Sequence, residues 1–218
     1  LNRMLSLVLE YKPFDQRELG GLNVPLKTMD QVRKLPFTYK QELVEDQEKF
    51  PPYGQNHSYP VEKYVRYHQT SGTTGRPLKI LDTEESWNWW AECWTKVYRS
   101  AGVTEEDVLF LAFHFGPFIG FWAAYEGAKK MGALVIPGGG QSSEQRLQAI
   151  LEHGVTVLLC TPSYALHLAE VAKQNQLDLY ASKVRIIICA GEPGASIPSV
   201  RRQIEEATSD YDREKLQE

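Results

Sequence analysis

Hydrophobic positions change their spacing along this chain. Up to about residue 60, apolar residues form short helical groupings cut by prolines. Leu1, Leu5, Val8 and Leu9 share one helical face, which Pro13 is expected to end. Thr28-Met29-Asp30-Gln31 and Thr38-Tyr39-Lys40-Gln41 each have capping-box spacing, with Pro36 closing one helix before the next. Pro51, Pro52, Gly54 and Pro60 make an irregular connection. From Tyr64 to Gln69 the pattern alternates as a strand, and Leu78 to Leu81 reads as its return. Trp87, Trp90, Ala91, Trp94, Val97, Tyr98 and Ala101 then recur at helical spacing until Gly102. This spacing predicts that the tryptophans pack in a core.

A regular alternation follows. Strand-like runs at Val108–Phe113, Ala133–Ile136, Val155–Cys160 and Val184–Cys189 are separated by helical segments at about 118–131, 143–153 and 163–175. Gly132 and Gly154 are placed as helix stops, Ser142 with Gln145 as a cap, and Pro198 as a first-turn proline. The expected fold class is therefore α/β, a mainly parallel sheet flanked by helices. A small helical region over residues 1–60 precedes this α/β part, which is expected to span 61–218. Ligands of such sheets collect where strands end and loops begin. Those ends are Ala112–Gly116, Pro137–Gly140, Thr161–Tyr164 and Ala190–Gly194, whose small, aromatic and hydroxyl residues suit a flat organic ligand.

Composition narrows the field. With 42% hydrophobic and 24% charged residues over 218 positions, the chain is globular rather than disordered. A net charge of −4 leaves no basic excess for nucleic acid, so no nucleic-acid partner is expected. Val108 to Tyr125 is uncharged and reaches the minimum length of a spanning helix, about 18 residues. His114, Gly116, Pro117 and Gly120 break it, so no membrane partner is expected. The chain opens without the basic head of a secretory signal, and a cytoplasmic location with reduced Cys93, Cys160 and Cys189 is expected. His57, His68, His114, His153 and His167 lack metal-ligand spacing, and no metal ligand is assigned. Glu84, Glu85, Glu105, Glu106 and Asp107 read as solvated helix starts.

Chemistry concentrates in Thr70-Ser71-Gly72-Thr73-Thr74-Gly75. Glycines let successive amides point one way and hydroxyls add donors, which suits an anion, with Arg76 and Lys79 beside the loop. A plain hairpin turn fits the same composition. Neither the phosphate loop of common nucleotide hydrolases nor a dinucleotide-binding glycine motif occurs.

The order of the loop, Thr70 to Gly75 followed by Pro77, resembles the phosphate-binding signature of the adenylate-forming (acyl-activating) enzymes. Four further motifs narrow the resemblance to the phenylacetate–coenzyme A ligase family. They are Leu35-Pro36-Phe37-Thr38 with Lys40 and Leu43, Gly132 to Pro137 with Gly139-Gly140, Cys160 to Leu166, and Ala190-Gly191-Glu192-Pro193. The resemblance runs from Leu1 to the region of Glu206 and implies the first part of that family's large domain. It implies that a carboxylic acid attacks the α-phosphorus of ATP, giving an acyl-adenylate that coenzyme A then takes over, with Mg2+ in attendance. By resemblance, Thr70, Ser71, Gly72, Thr73, Thr74, Gly75, Arg76 and Lys79 hold phosphates. Gly191, Glu192 and Pro193 lie against adenine, and Phe113, Phe115, Gly116 and Phe118 line the acyl pocket. The partner expected is a small carboxylic acid, with a homodimer left open.

Two departures bear on this. Arg76 stands where the branch often has Lys, keeping the charge. Phe113-His114-Phe115-Gly116 replaces a Tyr-Gly-Tyr-Gly-like run, so the acid is not fixed as phenylacetate. Alternation places Phe113 and Phe115 on one face and His114 on the other, nearer the nucleotide or packed as an ordinary buried histidine. The family's magnesium carboxylate, ribose-binding Asp and mobile-domain Lys have no counterpart up to Glu218, so no catalytic residue is named. The charged run Glu205 to Glu218 offers no packing face. Two readings stand side by side: part of a longer ligase, which alone would not exchange pyrophosphate, and a truncated, non-catalytic nucleotide- or acyl-binding relative.

Overall fold

The computed structural model describes residues 1–72, 75–194 and 196–209. The chain divides into two compact units, Leu1–Trp87 and the part from Asn88 onward. The first holds helices α1 (Asn2–Tyr11), α2 (Pro13–Leu19), α3 (Met29–Arg33) and α4 (Lys40–Lys49), then the antiparallel hairpin β1 (Tyr64–Gln69) and β2 (Lys79–Thr83). The return strand thus starts one residue later than the alternation implied, because Thr70 and Leu78 close the turn. Pro13 opens α2 as well as following α1, in the first-turn position where its missing N–H costs nothing. Thr28 and Gln31 form the expected capping box. The second box is displaced by one residue: α4 starts after Tyr39, whose amide is accepted by Glu42 rather than Gln41. Asp46, buried on α4, takes the Arg17 guanidinium and the Gln55 amide, binding α2 and the connection to α4.

Helix α5 (Glu84–Ser100) carries a buried stripe of Trp87, Ala91, Thr95 and Tyr98. Trp90 and Val97, each one residue before a buried position, fall on its rim. Trp90 is 36% exposed and Trp89 62%, which corrects the expectation of a tryptophan core, since Trp87 alone of the four is fully buried.

The second unit continues with β3 (Val108–Leu111), α6 (Ile119–Met131), β4 (Leu134–Pro137), α7 (Ser143–Glu152), β5 (Val157–Cys160), α8 (Pro162–Gln174), β6 (Ile186–Cys189) and α9 (Pro198–Ser209). The strands form one parallel sheet in the order β4-β3-β5-β6. They are shorter than the apolar runs suggested, because the flanking residues pack as loop. On one face Tyr98, Leu109, Leu111, Phe113, Ala124, Ala128, Val157 and Leu159 cluster with α6. On the other, Phe110, Ala112, Leu158 and Cys160 meet Leu147, Ile150, Leu168, Ala172 and Ile204 of α7, α8 and α9. Burying both faces explains why the strands are continuously apolar. Glu205 to Ser209 complete α9 behind the buried Ile204; residues 210–218 lie outside the described ones. Strand β6 is half-buried throughout and pairs with β5 along one side.

Gly132 caps α6 in the left-handed conformation with φ +89°, and Ser142 with Gln145 caps α7. A side chain at Gly127 would meet Trp94 Cβ at 2.4 Å, so glycine sets how closely α5 and α6 approach. There the buried Tyr98 hydroxyl donates to the Ala124 carbonyl at 2.9 Å, and burial pushes its pKa up.

Asp107 corrects another expectation. It is 5% exposed rather than solvated, and Glu105 and Glu106 lie in a turn. Its carboxylate accepts from the Thr104 amide at 2.8 Å, the Thr156 hydroxyl at 2.7 Å and Arg185 Nη2 at 2.7 Å. Burial alone would raise its pKa, but these donors outweigh it and hold the carboxyl below its usual range. Residues 107, 156 and 185 all precede strands, so the network fastens the amino ends of β3, β5 and β6.

Candidate functional site

In the first unit, the β1–β2 turn carries the hydroxyl- and glycine-rich segment. The Thr70 amide donates to the Leu78 carbonyl at 3.0 Å, and the Thr70 hydroxyl accepts from the Leu78 amide at 2.9 Å. Thr70 therefore closes the hairpin with a lone pair while its O–H stays available to donate. Gly72 has φ +70°, and a Cβ there would meet Pro77 Cγ at 2.9 Å, so only glycine fits. The Gly75 amide turns back to the Gly72 carbonyl at 3.0 Å, and Ser71 is exposed. Thr73 and Thr74 lie outside the described residues. Arg76 pairs with Glu48 at 3.0 Å, and Lys79 Nζ donates to the Pro52 carbonyl at 2.9 Å, so both cations are held by α4 and the segment after it. Behind the turn, His68 Nε2 lies 3.2 Å from the Asp82 carboxylate, both buried. Desolvation depresses the His68 pKa; Asp82 pulls it up and Arg66 pushes it down.

In the second unit, the carboxyl ends of the strands bring together aromatic and small residues. Adjacent β3 and β5 leave the sheet toward opposite neighbours, which makes the gap between their carboxyl ends the switch point where ligands of such folds lodge. Phe113 is buried and stacks on Phe121, with ring centroids 3.4 Å apart. Phe115 meets Trp122 edge-on at 4.8 Å and Tyr125 at 6.3 Å, and it lies over Gly139, where a Cβ would approach its ring to 3.1 Å. Trp122 Nε1 donates to the Gly116 carbonyl at 3.0 Å, fixing the turn, and Phe118 is exposed. Of the four residues assigned to an acyl pocket, Phe113 and Phe115 belong to one apolar cluster, Gly116 is tied to it through Trp122, and Phe118 stands exposed beside them. Sequence reasoning missed the cluster's other half, Phe121, Trp122 and Tyr125, although they sit at helical spacing on the first turns of α6. His114 is exposed, which overturns its reading as a packed histidine.

Arg146 was also missed. It is 5% exposed on α7, donating from Nε to the Gly138 carbonyl at 2.9 Å and from Nη1 to the Ala112 carbonyl at 3.2 Å. Its guanidinium lies 5.1 Å over the Tyr164 ring, and the Tyr164 hydroxyl meets Ser143 Oγ at 3.0 Å. One cation thereby joins the ends of β3 and β4 to the first turn of α8. The signal was its position four residues before Ile150, on the inward side of the helix.

Gly191, Glu192 and Pro193 follow β6. Gly191 has φ +97°, and Glu192 Oε1 accepts the Ser163 amide at 2.7 Å in the first turn of α8, whose cap is Thr161. Hydrogen bonds from Ser163, hydroxyl and amide, hold the Glu192 carboxyl below its usual range. Among the described residues, no cluster of three or more His, Cys, Asp or Glu is placed to hold a metal ion, and no helix is long and apolar enough to cross a membrane.

A phenylacetate-coenzyme A ligase of Pseudomonas putida is 33% identical over 189 residues, 87% of this chain and 42% of that protein. Its Escherichia coli (strain K12) counterpart is 33% identical over 194 residues, 88% of this chain and 40% of that protein. A crystal structure of 2-hydroxyisobutyryl-CoA ligase with 2-HIB-AMP and CoA in the thioesterification state superposes with a TM-score of 0.89 at 30% identity, over 95% of this chain and 45% of that one. The chain spans about two fifths of the length of these curated relatives. With the model of the AMP-binding enzyme family matching residues 26–209, the chain belongs to that family.

Proposed function

We propose that this chain is the nucleotide- and acid-binding part of an acid–CoA ligase that activates an aromatic, phenylacetate-like carboxylic acid as its adenylate and passes it to coenzyme A. The observation that carries the reading is the aromatic cluster at the carboxyl end of β3, in a chain one third identical to two phenylacetate-coenzyme A ligases. Phe115 and Trp122 offer flat apolar walls to a ring. Residues 61–218 form the nucleotide- and acyl-binding part, after the helical region 1–60. The turn from Thr70 to Gly75 presents amides and hydroxyls to the polyphosphate of ATP, with Arg76 and Lys79 swinging from Glu48 and Pro52 to add charge. Such donors stabilise a transfer in which negative charge spreads over phosphate oxygens. Gly191 to Pro193 carry the adenine, with Glu192 anchored on α8 so that the backbone around it is fixed. Mg2+ accompanies the phosphates. The working setting is the cytoplasm; a homodimer is compatible with all of this.

A second reading, favoured by the superposition on 2-hydroxyisobutyryl-CoA ligase, is a small branched hydroxy acid. Exchange of labelled pyrophosphate into ATP, measured on the complete protein carrying this chain, separates the two. Aryl acids should support exchange and 2-hydroxyisobutyrate should not. The reverse result moves the assignment to hydroxy acids, and exchange with neither ends the ligase reading.

A further inference from the structure

Cys160 and Cys189 are the last residues of β5 and β6 and direct partners in the parallel register. Paired residues on neighbouring strands point to the same face, and such strands run about 4.8 Å apart. That spacing falls within the roughly 4.4–6.8 Å between α-carbons that a disulfide spans. Both thiols are free, as is the half-buried Cys93 on α5. The two partners differ in access. Cys160 is fully buried, whereas Cys189 is half-buried and lines a cavity of about 590 Å³ bounded by α7, α8 and α9. The neighbouring Cys189 sulfur and burial push the Cys160 thiol up, so the buried partner stays protonated. Cys189 is thus the sulfur that a small oxidant reaches first, with Cys160 behind it.

We propose that Cys160 and Cys189 form a peroxide-reactive dithiol, a modification site in which Cys189 is oxidised first and Cys160 resolves it to a disulfide. The Cys189 thiolate attacks hydrogen peroxide; the O–O bond breaks, one oxygen stays on sulfur as sulfenic acid, and hydroxide leaves. Cys160 sulfur then displaces that oxygen: the S–S bond forms, the S–O bond breaks, and the thiol proton departs with the oxygen in water. Two electrons pass from the thiol pair to the peroxide. Closing the bond draws together the turns bearing Thr161 and Gly191, where the proposed function puts adenine. The oxidation itself does not rest on that reading.

The test is peptide mapping of the unmutated 218-residue protein after brief exposure to a small molar excess of hydrogen peroxide and alkylation under denaturing conditions. Free thiols should fall from three to one. Cys93 should be alkylated and the Cys160 and Cys189 peptides linked within one chain, the link being released by dithiothreitol. In Cys160→Ala the reaction should stop at a Cys189 sulfenic acid that dimedone traps, and in Cys189→Ala the remaining Cys160 should stay reduced. Three surviving thiols, consumption of Cys93 ahead of Cys189, or links between chains would overturn the proposal. The unmutated protein decides the matter even where a variant fails to fold.

Discussion

Asp107 and Arg146 are both charged and both buried, and they meet the cost of leaving water in different ways. Asp107 collects an amide, a hydroxyl and a guanidinium, one donor set from each strand start it joins. Replacing it with Asn removes the charge-assisted contact to the half-exposed Arg185, and about 1.5–3 kcal/mol of stability should go with it at neutral pH. Because the folded carboxyl titrates below its ordinary 3.8, that stability is present above pH 3.8 and lost as pH falls through the lower folded value. Thermal melts should therefore show a gap between wild type and Asp107→Asn that narrows in acid below pH 3.8; a constant gap would mean the ion pair is not its source. The role of Asp107 was not legible in the sequence. Asp107 followed two glutamates at what looked like a helix start, and the Thr156 and Arg185 that bury it are distant in the chain. At Thr73 and Thr74 the sequence says more. Valine at both keeps their shape and deletes the hydroxyls, so nucleotide titrations of the complete protein should weaken by about 1.5–3 kcal/mol for each bond lost to phosphate. Unchanged affinity would reduce the segment to a turn.

Elements were easier to foresee than residues, because their signals are local. The capping box at Ser142, the stop at Gly132 and the first-turn proline at Pro198 stand where the spacing put them. The misplacement at Thr38 has a local cause too: Thr38 with Gln41 and Tyr39 with Glu42 have the same spacing and are offset by one residue, and a carboxylate accepts an amide better than a carboxamide does. The rim position of Trp90 was beyond reach, since helical spacing gives a face without giving its width. The α5–α6 crossing is the element-scale contact with least slack. Gly127→Ala would put a methyl 2.4 Å from Trp94 Cβ, and forcing the helices apart should cost about 1–3 kcal/mol, read as a lower urea midpoint at unchanged slope. A neutral outcome would show that the crossing yields.

At the scale of the whole molecule, sheet order decides which loops meet. The order β4-β3-β5-β6 could not be read from the chain, and it places the Phe113–Phe118 segment between the Pro137–Gly140 and Thr161–Tyr164 ends. Arg146 then ties those three together, so the acid pocket proposed above is built from a cluster rather than from a single residue. In the complete protein Phe115→Ala should raise KM for an aryl acid at least tenfold, equivalent to about 1.4 kcal/mol, and leave KM for ATP within error. Equal rises for both substrates would mean general damage, and the pocket assignment would fall. An apolar wall of this kind separates acids differing by one methylene by roughly 1–3 kcal/mol, so several aryl acids should be turned over.

Strand β6 has a practical consequence for anyone handling the chain by itself. Ile186, Ile187 and Ile188 are half-buried, and no described strand takes the amides and carbonyls on the side away from β5. An apolar strip with open hydrogen-bonding groups is a template on which a second chain can lay its own. Concentrated solutions should therefore turn cloudy with time, following a lag that shortens with protein concentration and that added salt does not lengthen. The colloidal behaviour of the preparation therefore reports on one edge of one sheet.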